Sequence, residues 1–63
     1  MRNSLPERRH ALGWSQQRLA DELGVSRQTV ISIEKGRFDP SLPVAFRLAG
    51  VFGCTIEELF SPE

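Results

Sequence analysis

The 63 residues contain one cysteine, one histidine and no tyrosine. Cys54 alone excludes a disulfide within the chain, and a lone thiol suits a reducing compartment. His10 alone leaves no Cys/His metal site, and the Asp and Glu residues show no ligand spacing, so neither metal nor cofactor is expected. No apolar run approaches the 18 or so residues of a membrane helix. The opening MRNSLPERRH lacks the apolar core of a secretory signal. These absences predict a soluble cytoplasmic protein. An enzyme is disfavoured too: there is no paired acid–base constellation, no Cys–His pairing and no glycine-rich phosphate loop.

What is present fits one domain, residues 1–63. A chain this short buries only about 60% of the surface it exposes when unfolded, so added area from self-association is expected. Net charge is zero, but it is unevenly placed. Residues 1–37 hold seven of the eight Arg and Lys against four carboxylates, a net of +3, and residues 38–63 carry −3. Such a dipolar chain can turn a basic face to phosphate.

Start and stop signals divide the chain into five short helices, an all-α architecture. Ser4 and Glu7 make a capping-box pattern, with Pro6 in the first turn, Leu5 and Leu12 facing inward and Gly13 as the stop. Ser15 caps helix 2, Trp14 and Leu19 form a hydrophobic staple, and Gly24 ends it. Ser26 caps helix 3, with Val25 and Val30 as staple and Gly36 as the stop. Ser41 caps helix 4 up to Gly53, and Thr55 with Glu58 boxes helix 5, with Cys54 and Leu59 as staple. Ser61-Pro62-Glu63 reads as a frayed end, and no strand pattern is visible. The link Gly24-Val25-Ser26 is short enough to force helices 2 and 3 into a steep crossing, a helix-turn-helix.

On a wheel, Ser26, Val30, Ile33 and Glu34 share one side of helix 3. Gln28, Ile31, Ser32 and Lys35 share the other, with Arg27 at its edge. That outer face is poor in carboxylates. Gln bonds adenine through two groups, Arg does the same for guanine, and an apolar side chain meets a thymine methyl. An outward Ile31 also asks for something to cover it.

The stretch SQQRLADELGVSRQTVISIEKG resembles the Cro/repressor, or xenobiotic-response-element, family of helix-turn-helix proteins. Ala20, Gly24 and the aliphatics Leu19, Leu23, Val25, Val30 and Ile33 match its pattern, as do the Ser15-Gln16 opening and the Glu34-x-Gly36 ending. The likeness runs from about Leu5 to Phe60. It implies a compact five-helix, repressor-like fold and sequence-specific binding of double-stranded DNA, most often as a repressor. Arg27, Gln28, Ile31 and Ser32 would read base edges; Gln16, Ser26, Lys35 and Arg37 would hold the backbone. Arg9 and Glu34 match a pair that is buried and ionic in phage members. Arg8 departs from the pattern, standing where many members carry Leu, so only its alkyl stem would pack.

A symmetric homodimer on a palindromic operator is the expected assembly. The apolar residues of helix 4 cover more than half its circumference, with Val44 and Val51 one heptad apart at the rim. Phe60 adds a large apolar group with little chain after it. Val44, Val51 and Phe60 are thus the candidate interface; alternatively, Phe46 and Phe60 complete the monomer core. A second function class remains: an antitoxin-like interaction module with a protein partner, which would also bind DNA.

Overall fold

Three serines and a threonine start four of the five helices. Ser15, Ser26, Ser41 and Thr55 have extended backbones, and each side-chain oxygen accepts from the N–H three residues on: Arg18, Thr29, Val44 and Glu58. Each bond satisfies one of the amides that a helix start leaves without an internal partner. At Thr55 the bond is reciprocated, because Glu58 accepts from the Thr55 N–H. That bond holds the Glu58 carboxyl below its ordinary pKa. The computed structural model describes residues 1–62. In order it runs α1 (Leu5–Ala11), α2 (Gln16–Leu23), α3 (Arg27–Glu34), α4 (Leu42–Phe52) and α5 (Ile56–Leu59), the five helices expected.

The first helix starts differently from the expected capping box. Ser4 has φ −107° and ψ 19°, and its side chain makes no cap bond. Instead its Oγ accepts from Arg8 Nε at 3.0 Å and donates to the Glu58 carbonyl. Asn3 takes over the cap, its Oδ1 accepting from the Leu5 N–H at 3.1 Å. Leu12 is a second difference. Helix α1 stops at Ala11, and Leu12, as its C-cap, is turned out of the core and 49% exposed.

A short antiparallel ladder joins β1 (Arg2–Asn3) to β2 (Phe60–Ser61), with Arg2 opposite Ser61 and Asn3 opposite Phe60. Two-residue strands carry no alternation, so the sequence has no pattern to announce them. Ser61 is therefore paired rather than frayed, and Glu63 of the expected frayed end lies outside the described residues.

Leu5, Leu19, Ala20, Leu23, Val30, Ile33, Leu48 and Leu59 form one buried cluster. Trp14, Val25 and Cys54, the outer members of the three staples, pack against it. Among the described residues no helix is long and apolar enough to cross a membrane.

Two glycines with similar φ do different work. Gly24 ends α2 at φ 71°, and a Cβ there would meet open space. Gly36 has φ 75°, and a Cβ there would lie 2.8 Å from the Met1 carbonyl oxygen. Gly24→Ala should therefore lose only the left-handed backbone preference, about 1–2 kcal/mol. Gly36→Ala should lose more, because the added methyl must also push aside main chain. Urea unfolding of both variants measures the difference; equal losses would mean the close approach to Met1 has no energetic weight.

Candidate nucleic-acid interface

The turn Gly24-Val25-Ser26 brings α3 across α2, with Val30 and Ile33 buried beneath it. The opposite face is free. Arg27 and Gln28 are exposed in its first turn, Ile31 and Ser32 are half-buried in the middle, and Lys35 is exposed at the end. Arg37 follows in the loop, exposed, with its N–H donating to the Ser32 carbonyl at 3.0 Å. Ser26 is exposed, but its oxygen accepts from the Thr29 N–H and also pairs with the Thr29 hydroxyl at 2.9 Å. The Ser26 side chain thus already has a structural task.

Glu34 is the only carboxylate of α3, and it points inward to a guanidinium. Arg9 Nε lies 2.8 Å from Glu34 Oε2, and an Arg9 terminal nitrogen donates to Oε1 at 3.2 Å. The other terminal nitrogen donates to the Trp14 carbonyl at 2.9 Å. The two side chains are 9% and 6% exposed. Gln16 completes the cluster, its Nε2 donating to Glu34 Oε1 at 3.1 Å. So Gln16, read from the sequence as a backbone contact, is anchored to α3 through Glu34. This pairing leaves the outer face of α3 with cations and neutral groups only: two of the predicted base readers at its start, and Lys35 with Arg37 at its end.

Two residues that sequence reasoning passed over support this surface. Arg47 donates to the Leu23 carbonyl at 3.0 Å, closing the end of α2. Its signal was weak: a single cation in the acidic half of the chain. Asn3 donates through Nδ2 to the Ile33 carbonyl at 2.9 Å and to the Glu34 carbonyl at 3.4 Å. Thirty residues separate Asn3 from Ile33, and no local pattern could connect them. Trp14 packs as a staple residue, with its ring 6.4 Å from that of Phe52 and the Arg18 guanidinium 4.5 Å above it.

The three residues expected at a self-association interface are all partly buried against the core, and Val51 and Phe60 line different hollows. Val44 and Val51 are half-buried against the core. Val51 lines a small hollow with Arg8, Ala11, Leu12 and Phe52. Phe60 lines another, of about 310 Å³, with Met1, Leu42, Ala45 and Ile56. Phe46 does not complete the core, being 62% exposed one turn from the equally bare Leu42.

Removing one member of a buried ion pair strands the other charge out of water. Glu34→Ala should therefore lower stability by roughly 3–5 kcal/mol, against under about 1 for an exposed pair. Arg18 and Glu22 provide that exposed comparison, at 3.0 Å with side chains 54% and 40% exposed. A melting curve of Glu34→Ala that shifts no more than that of Glu22→Ala would refute the assignment.

Sequence and fold comparisons place this surface in a known family. A profile of the helix-turn-helix family matches residues 7–59. An uncharacterized HTH-type transcriptional regulator of Methanocaldococcus jannaschii is 52% identical over 60 residues, covering 95% of this chain and 91% of that protein. Another, from Bacillus subtilis, is 42% identical over 60 residues, covering 95% and 91%. Among solved structures, the restriction-modification controller protein C.AhdI from Aeromonas hydrophila superimposes with a TM-score of 0.78. It is 38% identical, over 89% of this chain and 85% of that one. The chain belongs to the helix-turn-helix family, in its Cro/repressor or xenobiotic-response-element type.

Proposed function

We propose that this protein is a transcriptional regulator that binds double-stranded DNA sequence-specifically, reading the major groove with α3 as a homodimer and acting as a repressor. The observation that carries the reading is the outer face of α3. Its one carboxylate is neutralised inside by Arg9, so nothing anionic opposes a phosphate backbone there. Arg27 and Gln28 stand free at the helix start, where a recognition helix meets base edges. Lys35 and Arg37 stand free at its other end, where cations meet phosphates. The related proteins described as HTH-type transcriptional regulators support the same reading.

Selection of bound sequences from a random DNA pool tests it. Enrichment of a palindrome is expected, and no enrichment would overturn it. On the selected site, Gln28→Ala should cost about 1–3 kcal/mol and relax preference at one base pair. Lys35→Ala and Arg37→Ala should weaken all sequences alike and reduce the salt slope by about one each. A sequence-blind loss for Gln28→Ala would remove it from the base-reading set.

The dimer would use the face where Leu42 joins two features: the hollow of Ile56 and Phe60, and the exposed Phe46 one turn along α4. Bare apolar surface of this kind marks an interface, and a two-fold pair would set its recognition helices about 34 Å apart. Phe46→Glu should then leave helicity intact, give a monomer in sedimentation, and lose most affinity for the full palindrome. A monomeric unaltered protein at high concentration, one copy per DNA site, would rule the dimer out. Purification with a second protein bound to this face would favour the antitoxin-like reading instead.

A further inference from the structure

The last turn of a helix leaves carbonyls without internal partners, and their dipoles concentrate negative charge there. At the end of α3 those carbonyls lie beside the residues proposed to grip phosphate. The Ile33 carbonyl accepts from the Gly36 N–H at 2.9 Å and also from Asn3 Nδ2 at 2.9 Å. The Glu34 carbonyl is reached by the same amide at 3.4 Å. Met1 lies over Gly36, its carbonyl oxygen 2.8 Å from where a Cβ at that position would stand. The strand that carries Asn3 is itself fixed, Asn3 opposite Phe60 in the ladder and the Ser4 N–H donating to the Leu59 carbonyl at 3.0 Å.

We infer that Asn3 is a positioning residue for DNA binding: its side-chain amide clamps the Ile33 and Glu34 carbonyls so that the turn carrying Lys35 and Arg37 is held in its phosphate-gripping geometry. Both ends of the amide are used. The oxygen caps α1 at Leu5, and the nitrogen closes α3, so one side chain ties the start of one helix to the end of the other. Neither Lys35 nor Arg37 needs to touch Asn3. The residue acts on them through the main chain, where the Lys35, Gly36 and Arg37 amides donate to the Ile31, Ile33 and Ser32 carbonyls. This rests on the DNA-binding reading above.

Asn3→Ser isolates the clamp. A serine hydroxyl still caps the Leu5 N–H and adds no charge, but it is too short to span to two carbonyls of α3. In hydrogen exchange without DNA, the Lys35, Gly36 and Arg37 amides of Asn3→Ser should exchange severalfold faster, with those of α2 unchanged. Asn3→Asp, of equal size and without the donor, should speed the same exchange, and it serves for that readout alone if the serine variant folds poorly, because its charge would itself weaken DNA binding. On the selected DNA site Asn3→Ser should lose about tenfold in affinity, the effect of one hydrogen bond's worth of ordering. In a Lys35→Ala/Arg37→Ala background that loss should vanish, and the salt slope of Asn3→Ser should fall towards that of the double variant.

An equal loss in both backgrounds, or a lowered melting temperature with unaltered affinity and salt slope, would make Asn3 merely structural and overturn the inference. Unchanged exchange at the turn would overturn it without reference to DNA. If the unaltered chain enriches no sequence at all, the functional reading fails and the inference falls with it. That outcome is distinct from an unaltered chain that binds but shows additive losses.

Discussion

Around the guanidinium of Arg9, four segments of the chain meet. It bonds Glu34 from α3 and the Trp14 carbonyl from the link before α2, and Glu34 in turn holds Gln16 at the start of α2. A charge taken out of water is expensive unless its hydrogen-bonding positions are filled, and here no buried side-chain polar atom lacks a partner among the described residues. The pair therefore does more than attract. It demands one geometry for the helix-turn-helix relative to α1, because any other crossing would leave a carboxylate or a guanidinium stranded. Hydrophobic contacts of Leu19, Val30 and Ile33 drive the helices together without being so particular about angle. Orientation comes from the ionic cluster, and the outward set of Arg27, Gln28 and Lys35 follows from it.

The architecture was legible because its signals are local. Ser15, Ser26, Ser41 and Thr55 announce helix starts within three residues, and Gly24 and Gly53 announce ends in the same way. The buried face of α3 follows from a 3.6-residue period, and the inward place of Glu34 came with it. What escaped was set by partners outside the local pattern or by where a helix stops. Ser4 has the residue type of a cap, yet its neighbours Arg8 and Glu58 claim its hydroxyl. Leu12 has the right spacing for the core but falls just past the end of its helix, where periodicity stops carrying information.

The apolar surface shows the same division. Periodicity can say that α4 is too hydrophobic for one buried face. It cannot say which residues the monomer covers. The packed core decides that: Val44 and Val51 are partly covered against it, whereas Leu42 and Phe46 are left bare. Charge separates along a related line. The basic half of the sequence supplies the face of α3, and the acidic half supplies Asp39 and Glu57 at the rim of the hollow beside Phe60. Net neutrality thus conceals two surfaces of different character rather than an absence of both.

The ladder between residues 2 and 61 nearly makes a ring of the chain. Closing a loop of about 60 residues costs roughly 3–4 kcal/mol of chain entropy. Two short strands with few hydrogen bonds cannot offset that from an open coil. The α2–α3 unit has the opposite character, its contacts spanning fewer than twenty residues. Assembly is thereby ordered: the local helical pairs must first bring the ends near each other, and only then does the ladder become favourable. The clasp at the end of α3, carried on a strand of that ladder, should accordingly be among the last contacts to form and the first to open, which would place native-state breathing at the end of the helix nearest the chain's own seam.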